Sequence, residues 1–290
     1  MPLIQVFQDH PFLFLAAIGI LGLLVGSFLN VVIYRLPVML ERGWRQECLE
    51  FLGQPKEEAP ERFDLIQPAS TCPHCGHQIQ AWENIPVISY LLQKGRCTQC
   101  GASISLRYPL IELLTAVLSM VVAWHFAVSV QTLWALVLTW TLIALSFIDI
   151  DHHLLPDAIT LPVLWLGLFL SLFHLFTDPR SAIIGAIAGY LVLWTVYQLF
   201  KLLTGKEGMG FGDFKLLALF GAWLGWQKLP MIILLSSLVG AILGIAMILI
   251  QGRDRQTPIP FGPYLAIAGW IALLWGDTLN QLYLNLSGIS

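Results

Sequence analysis

The sequence predicts an all-α polytopic membrane protein with about eight transmembrane helices and a small zinc-binding cytoplasmic domain inserted after the first helix. Three observations lead to this fold class. The 290-residue chain is 57% hydrophobic and only 11% charged, which leaves too few polar residues to cover a soluble globule of that size. Its apolar residues are grouped in long segments, and four of its five cysteines form two Cys-x-x-Cys pairs. The formal net charge of -3 carries no basic surplus, so we expect no nucleic-acid partner.

The apolar segments indicate where the chain crosses the bilayer, for which a helix needs about 20 residues. They cover residues 11–34, 108–128, 132–149, 158–176, 181–202, 214–227, 230–250 and 261–282. The first segment has no Lys or Arg before it and ends at Arg35, whereas a secretory signal peptide carries its positive charge before the apolar run. We therefore expect an uncleaved first helix with its N-terminus outside.

The distribution of positive charge supports this orientation. With the N-terminus outside, the loops 35–107, 150–157, 203–213 and 251–260 lie in the cytoplasm. All Lys and Arg residues except Arg180 and Lys228 then fall at or near cytoplasmic ends, as the positive-inside rule requires. The predicted domains are a first transmembrane helix over 1–34, a cytoplasmic zinc-binding domain over 35–107 and a seven-helix membrane domain over 108–290.

Two features of the spans bear on packing and on the site. Small residues four positions apart predict close contacts between helices, and they are Gly22 and Gly26, Gly185 and Gly189, and Gly240 and Gly244. The span 214–227 has too few residues for a bilayer, since at 1.5 Å per residue it reaches only about 21 Å against roughly 30 Å. Either the bilayer is thinned there, or the glycine-rich loop before it enters a protein-lined cavity.

The loop 35–107 contains the strongest local motif of the chain. After a charged segment from Glu41 to Asp64, which we expect to be amphipathic or loosely ordered, come two Cys-x-x-Cys knuckles, each followed by a glycine. Their cysteines are Cys72, Cys75, Cys97 and Cys100. This spacing predicts a zinc ion bound by four thiolates. Two disulfides are the alternative, but they rarely persist in a reducing compartment.

Four thiolates complete a tetrahedral zinc site, so the metal is expected to be structural. It would hold together a domain too small to keep a core unaided. A catalytic zinc is the competing hypothesis, which metal removal would test. The fifth cysteine, Cys48, has no partner in this pattern, and we expect a buried or idle thiol.

Two aspartates are the candidate catalytic residues. Asp149 ends the apolar segment 132–149, and Asp213 follows a run of glycines at the start of the segment 214–227. A carboxylate at such a position is costly unless it has a task or a partner. If the two face each other, repulsion and desolvation would separate their pKa values, so that they act as one acid and one base around a water molecule.

Such a dyad hydrolyses peptide bonds: the ionised aspartate takes a proton from water, and the protonated one polarises the scissile carbonyl. Intramembrane carboxylates also serve in proton relay and transport. The residues alone therefore leave an aspartyl protease and a carboxylate-based membrane transporter with a zinc-stapled domain both open.

Other polar residues near the membrane have weaker predictions. We expect Asp151 to be solvated or to end a helix, Asp157 to be an N-cap, and His152 and His153 to form a solvated edge with at most a supporting role. Glu112 lies beside Arg107 and is expected either to pair with it at the interface or to line the site.

Several segments together resemble the type IV prepilin peptidases, a family of Gly-x-Gly-Asp membrane aspartyl proteases. They are 22–37 (GLLVGSFLNVVIYRLP), the two knuckles, 82–86 (WENIP), 107–109 (RYP), 149–157, 208–215 (GMGFGDFK) and 258–263 (PIPFGP). The resemblance extends from the first helix to the last.

The resemblance implies a bifunctional enzyme of the bacterial inner membrane, with a periplasmic N-terminus and a cytoplasmic-facing active site. Such enzymes cleave the leader of type IV prepilins and type II secretion pseudopilins after a glycine, then N-methylate the new N-terminus with S-adenosylmethionine. The catalytic pair maps onto Asp149 and Asp213, and the zinc ligands map onto the four knuckle cysteines. No glycine-rich strand-turn-helix motif identifies the methyl-donor site, so its residues are unassigned, as is the oligomeric state.

Overall fold

The structure is a computed structural model that describes residues 2–54, 62–251 and 260–287. Within these ranges the chain is helical and has no strand, apart from isolated bridges between Thr71 and Gln78 and between Arg96 and Ser103. The α-helices are α1 (Pro2–Asp9), α2 (Pro11–Phe51), α3 (Ile88–Leu92), α4 (Arg107–Phe126), α5 (Val130–His152), α6 (Asp157–Ser171), α7 (Pro179–Thr204), α8 (Phe211–Leu224), α9 (Leu229–Gln251) and α10 (Gly262–Ser287). Short 3-10 helices cover Ala81–Asn84 and Trp226–Lys228. The all-α class is confirmed.

Four helices in the described ranges are long and apolar enough to cross a membrane, namely α2, α4, α5 and α7. Two shorter apolar helices cover Asp157–Ser171 and Trp226–Ile242. The chain therefore has the helices of a membrane protein, as predicted. The count of eight spans stays a prediction.

The chain divides into two compact units, residues 1–132 and 133–290. In the first unit α2 packs along α4. A Cβ atom added to Gly22 would lie 2.7 Å from the Cα of Ala116, and one added to Gly26 would lie 2.7 Å from the Cα of Glu112. The two backbones are thus in direct contact, which is the role predicted for this glycine pair.

Helix α2 is longer than the predicted first span, because it continues beyond Arg35 to Phe51. The residues after Arg35 include Leu, Met, Glu, Arg and Gln, which favour helix, although Pro37 lies inside it. The chain returns to this extension at residues 62–64: the Arg35 guanidinium donates to the Asp64 carbonyl at 2.9 Å, and the Arg42 guanidinium lies 4.3 Å from the centre of the Phe63 ring. The segment 41–64, expected to be amphipathic or loosely ordered, is therefore helical up to Phe51, and its residues 55–61 lie outside the described ranges.

The second unit is built around α8, which packs against α6, α7, α9 and α10. Every residue of α8 from Asp213 to Leu224 is buried except Lys215. Protein rather than lipid surrounds this helix, so its 14 residues do not have to match the thickness of a bilayer. This explains the short apolar segment predicted at 214–227, which the structure places three residues earlier.

Glycines allow the closest approach in this unit, between α7 and α8. A Cβ atom added to Gly189 would lie 2.6 Å from the Leu217 carbonyl oxygen, and Gly185 is in direct backbone contact with Gly221. On the other side of α8, the Trp223 indole donates to the Val163 carbonyl of α6 at 2.8 Å. These contacts hold α8, and with it Asp213, between its neighbours.

Candidate active site and metal site

Asp149 lies one turn before the end of α5 and is 6% exposed. Its Oδ2 atom accepts a hydrogen bond at 3.0 Å from the backbone N–H of Gly262, the first residue of α10. A Cβ atom at position 262 would lie 2.7 Å from the same oxygen. Only glycine therefore lets the start of α10 approach the carboxylate this closely.

Asp213 lies in the first turn of α8, whose N-cap is Gly210, and it is 7% exposed. A negative charge is favourable there because the positive end of the helix dipole faces it. The preceding residue, Gly212, packs against Leu155, since a Cβ atom added to it would lie 2.8 Å from the Leu155 Cβ. The glycine run thus serves close packing at the helix start.

The structure brings the two predicted aspartates into one region of the second unit. Leu155 contacts both Gly212 and Gly262, which adjoin Asp213 and Asp149 respectively. The two carboxylates are close enough to interact electrostatically. Two buried acidic groups that repel each other are the arrangement expected of a dyad that shares a proton.

The polar residues around this pair partly match their predictions. Asp151, His152 and His153 are exposed, as expected of a solvated edge. Asp157 is not an N-cap: Pro156 occupies that position, and both oxygens of Asp157 lie 2.7 Å from the Lys215 ammonium. This ion pair ties the start of α6 to the first turns of α8.

The four predicted zinc ligands form a cluster in the first unit, with their sulfur atoms all within 4.8 Å of one another. The Cys72 and Cys100 sulfurs are 3.8 Å apart, and those of Cys75 and Cys97 are 4.0 Å apart. A tetrahedral ion with Zn–S bonds of about 2.3 Å requires sulfur separations of about 3.8 Å. The cluster therefore fits zinc.

The two knuckles share one backbone geometry, which favours thiolates. Gly76 and Gly101 have φ angles of 73° and 72°, and their N–H groups donate to the Cys72 and Cys97 carbonyls at 2.9 Å. Backbone N–H groups of His74 and Cys75 lower the pKa of Cys72 to about 7.

Without a cation the four sulfurs do not all ionise easily. Despite the backbone N–H of His77, desolvation and hydrogen bonds with the neighbouring thiols raise the pKa of Cys75 to about 12. A bound zinc ion would stabilise all four thiolates and release the remaining protons.

Glu83 connects the two knuckles. Its side chain is 5% exposed; Oε2 accepts from the Gln80 N–H at 2.9 Å and lies 3.0 Å from the His77 Nε2, and Oε1 accepts from the Thr98 hydroxyl. The Gln80 N–H, followed by the Thr98 hydroxyl, lowers the pKa of Glu83. The WENIP segment thus contributes a structural carboxylate beside the metal site.

Glu112 is buried inside the first unit. It is 7% exposed, lies one turn into α4 against Gly26 of α2, and accepts a hydrogen bond on Oε2 from the Val87 N–H at 2.7 Å. Because α2 and α4 are in backbone contact at this level, the side chain stays inside the first unit.

Comparison with known proteins assigns both units. The model of the bacterial peptidase A24 N-terminal domain matches residues 20–126, and that of the type IV leader peptidase family matches residues 136–245. The chain belongs to the type IV leader peptidase family. No solved structure matches it.

Relatives from three bacteria cover almost the whole chain, and all are called prepilin leader peptidase/N-methyltransferase. The Stutzerimonas stutzeri protein is 58% identical over 97% of this chain and 98% of its own length. The Pseudomonas aeruginosa protein is 57% identical over 99% of both, and the Aeromonas salmonicida protein is 57% identical over 98% of both. The comparisons give no support to the transporter alternative.

Two residues at the site, Gly262 and Leu155, are not predicted as contributors from the sequence. For Lys215 the sequence predicts an interface anchor, and the structure pairs its ammonium with Asp157. Gly262 is detectable in principle, because it lies at the start of the apolar segment 261–282, and the N–H groups at a helix start favour an anion. Nothing in the sequence indicated which anion it would meet, since 113 positions separate it from Asp149.

Proposed function

We propose that this protein is a bifunctional prepilin-processing enzyme. It cleaves the leader of type IV prepilins and type II secretion pseudopilins after a glycine, and then N-methylates the new N-terminus with S-adenosylmethionine. The observation that carries the peptidase half is that the carboxylates of Asp149 and Asp213 are both buried and lie on either side of Leu155, which packs against their neighbours Gly262 and Gly212. The relatives' shared name supports both halves.

In this proposal Asp149 and Asp213 are the catalytic residues. One carboxylate takes a proton from a water molecule between them, and the other, protonated, polarises the scissile carbonyl. The Gly262 N–H orients the Asp149 carboxylate through its 3.0 Å hydrogen bond. The buried helix α8 holds Asp213 at a fixed position, which keeps the dyad preorganised.

The remaining structural predictions belong to the same proposal. The enzyme spans the inner membrane about eight times, with a periplasmic N-terminus and with the zinc domain and the aspartates facing the cytoplasm. The asymmetric distribution of Lys and Arg supports this orientation. A pilin precursor has a charged leader and an apolar stem, so its cleavage point would lie where water meets lipid. Exposed apolar side chains on the spans are consistent with lipid contact, and Phe12 and Trp165 are examples.

The four cysteines are proposed to hold a structural zinc ion. Their sulfur separations match a closed tetrahedral site, which leaves no position for a substrate. The zinc domain of 35–107 would thus support the enzyme without taking part in peptide hydrolysis.

One experiment tests both activities. The purified protein is incubated with a prepilin and labelled S-adenosylmethionine, and the pilin is analysed by intact-mass spectrometry. The expected product has lost its leader and gained one methyl group. A transported solute in proteoliposomes, with no cleavage, would instead support the transporter.

A further inference from the structure

A cavity of about 620 Å³ lies within the first unit, away from the two aspartates along the chain. We call it the N-terminal cavity. One side is formed by a single face of α2, with Ser27, Asn30 and Arg35, and another by the start of α4, with Tyr108 and Glu112. The segment that carries the cysteine knuckles closes it. Its volume lies within the range of about 300–1,000 Å³ that is typical of small-molecule sites.

Two buried charges of opposite sign line this cavity. Arg35 and Glu112 are each 7% exposed. The Arg35 guanidinium donates one hydrogen bond to the Asp64 carbonyl and lies 5.7 Å from the centre of the Phe63 ring, and a guanidinium has five N–H groups. Buried charges are costly unless they are paired or bind a ligand. Neither charge is needed by the proposed peptide hydrolysis, which uses residues of the second unit.

The backbone residue that donates a hydrogen bond to Glu112 has a strained conformation. The N–H that Glu112 accepts belongs to Val87, whose φ is 61° and ψ is -47°. A positive φ is unfavourable for a β-branched residue, and such strain is concentrated at functional sites. The loop thus adopts a costly conformation to hold this carboxylate on the cavity wall.

The cavity has room for a ligand that reaches both charges. Ser27 and Arg35 lie on the same face of α2, eight residues or about 12 Å apart, and the Cα of Glu112 contacts α2 at Gly26. Tyr34, Tyr90 and Tyr108 also line the cavity, and aromatic rings of this kind stack on a nucleobase. An elongated ligand with a carboxylate at one end and a base attached suits these walls.

We propose that the N-terminal cavity is the S-adenosylmethionine site, in which Arg35 binds the methionyl carboxylate and Glu112 binds the α-amine of the cleaved pilin. This inference rests on the proposed methyltransferase function and assigns residues to it. The donor supplies its methyl group to the amine nitrogen, whose lone pair forms the N–C bond while the electrons of the broken C–S bond stay on sulfur. Glu112 holds the amine and accepts the proton that nitrogen loses.

Direct binding tests the donor half. S-adenosylhomocysteine, the unreactive product, is titrated into the full-length protein and into the Arg35→Gln variant by calorimetry. Loss of a charge-assisted hydrogen bond should weaken binding by about tenfold or more. The matched control is Arg96→Gln, whose side chain is exposed and does not line the cavity; it should bind as the unmodified protein does. Equal affinity in Arg35→Gln would overturn the assignment.

A protection experiment does not depend on either charged variant folding. Asn30→Cys places a thiol on the cavity wall, and its alkylation is followed by peptide mass spectrometry with and without S-adenosylhomocysteine. Slower alkylation at position 30, with no change at the exposed Cys48 on the same helix, supports the site. Unchanged alkylation at position 30 under saturating ligand contradicts it.

The amine half is tested with a pilin peptide that already has a free N-terminus. Glu112→Gln should reduce its methylation about 100-fold or more, while leader cleavage and S-adenosylhomocysteine affinity stay unchanged. Glu47→Gln, an exposed change on α2, is the control. Normal methylation by Glu112→Gln refutes the role of Glu112. If the unmodified protein binds no donor and methylates no substrate, the methyltransferase function itself is refuted. If it methylates normally and the cavity variants do so too, only the location of the site is refuted.

Discussion

The two units hold their polar groups in contrasting ways. In residues 1–132 the metal ligands come from two short knuckles, and each knuckle forms its own turn through Gly76 or Gly101. In residues 133–290 the aspartates lie on different helices, and their surroundings come from a third helix and a connecting loop. The metal site is therefore encoded locally, whereas the aspartate pair exists only when the helices pack. Substitutions that disturb helix packing in the second unit should therefore impair the aspartate pair. Removal of the metal should affect only the first unit.

The largest expected effect is loss of leader cleavage in Asp149→Asn and Asp213→Asn. Each change removes one member of an acid–base pair, so we expect the cleavage rate to fall about 10³-fold or more. Cleavage of a purified prepilin is measured by intact-mass spectrometry.

Zinc content and methylation of a pre-cleaved pilin peptide are the controls, and both should stay normal in these variants. Substantial cleavage by either variant would remove that aspartate from the mechanism.

Metal removal tests whether the metal site of the first unit is structural. A strong chelator should unfold the knuckle segment, since a structural zinc contributes roughly 10 kcal/mol or more to the folding of such a segment. Protons compete with zinc for the four thiolates, so zinc affinity should decrease as the pH falls, and more steeply below about 7, the pKa of Cys72. Metal content is measured by mass spectrometry and folding by circular dichroism.

Leader cleavage should outlast zinc loss, because the aspartates are held by another unit. Cleavage that disappears before the knuckle segment unfolds would favour a catalytic zinc instead.

Gly262→Ala tests packing at the aspartates with the smallest possible side chain. Its Cβ would lie 2.7 Å from the Asp149 Oδ2, so the carboxylate or the start of α10 must shift. A displacement of about 1 Å can reduce a rate about 100-fold, and we expect cleavage to fall by that order.

The matched control is Gly276→Ala on the same helix, where the new Cβ would meet only the flexible Lys228 side chain, 2.9 Å from its Cδ. Cleavage by this variant should remain close to normal. Equal activity of the two variants would show that the Gly262 contact is dispensable.

Glu83→Gln should destabilise the segment that carries the cysteine knuckles, but less than metal removal does. The folded-state pKa of Glu83 is lowered from 4.5, so its contribution to stability is present above about pH 4.5 and is lost as the pH falls through the lower folded value. The variant should release zinc faster than the unmodified protein at pH 7, and this difference should shrink at low pH. Zinc release to a colorimetric chelator measures it; an identical rate at pH 7 would exclude a structural role for Glu83.

Gly205→Ala should have the smallest effect and should leave both leader cleavage and zinc binding unchanged. Gly205 ends α7 with φ 69°, and a Cβ atom there would meet nothing within 4 Å. Only backbone strain remains, which costs about 1 kcal/mol. Thermal unfolding in detergent should show a slightly lower Tm; a loss of cleavage would mean that the 205–210 loop takes part in the site.

The contrast between a locally encoded metal site and an aspartate pair that depends on helix packing explains what the sequence could predict. The metal ligands, the helical class and the glycine contacts of α2 with α4 and of α7 with α8 all follow from patterns within a few residues. Asp213 was a candidate because a charge beside an apolar segment is unusual. Gly262 and Leu155 were not, since their roles depend on which helices meet. The end of the first helix was misjudged because polarity after Arg35 indicates where the membrane ends, while α2 continues to Phe51.

The direct backbone contact between Gly185 and Gly221 gives residues far from the carboxylates an influence on cleavage. Gly221 lies eight residues after Asp213 on α8, about 12 Å along the helix axis. Any side chain at either glycine would push α8 away from α7, and since α8 is buried from Leu216 to Leu224, the displacement would be transmitted to its first turn. Inactive variants of this protein should therefore occur at a helix crossing that contacts neither substrate nor water, and second-site changes that make room beside α8 should restore them.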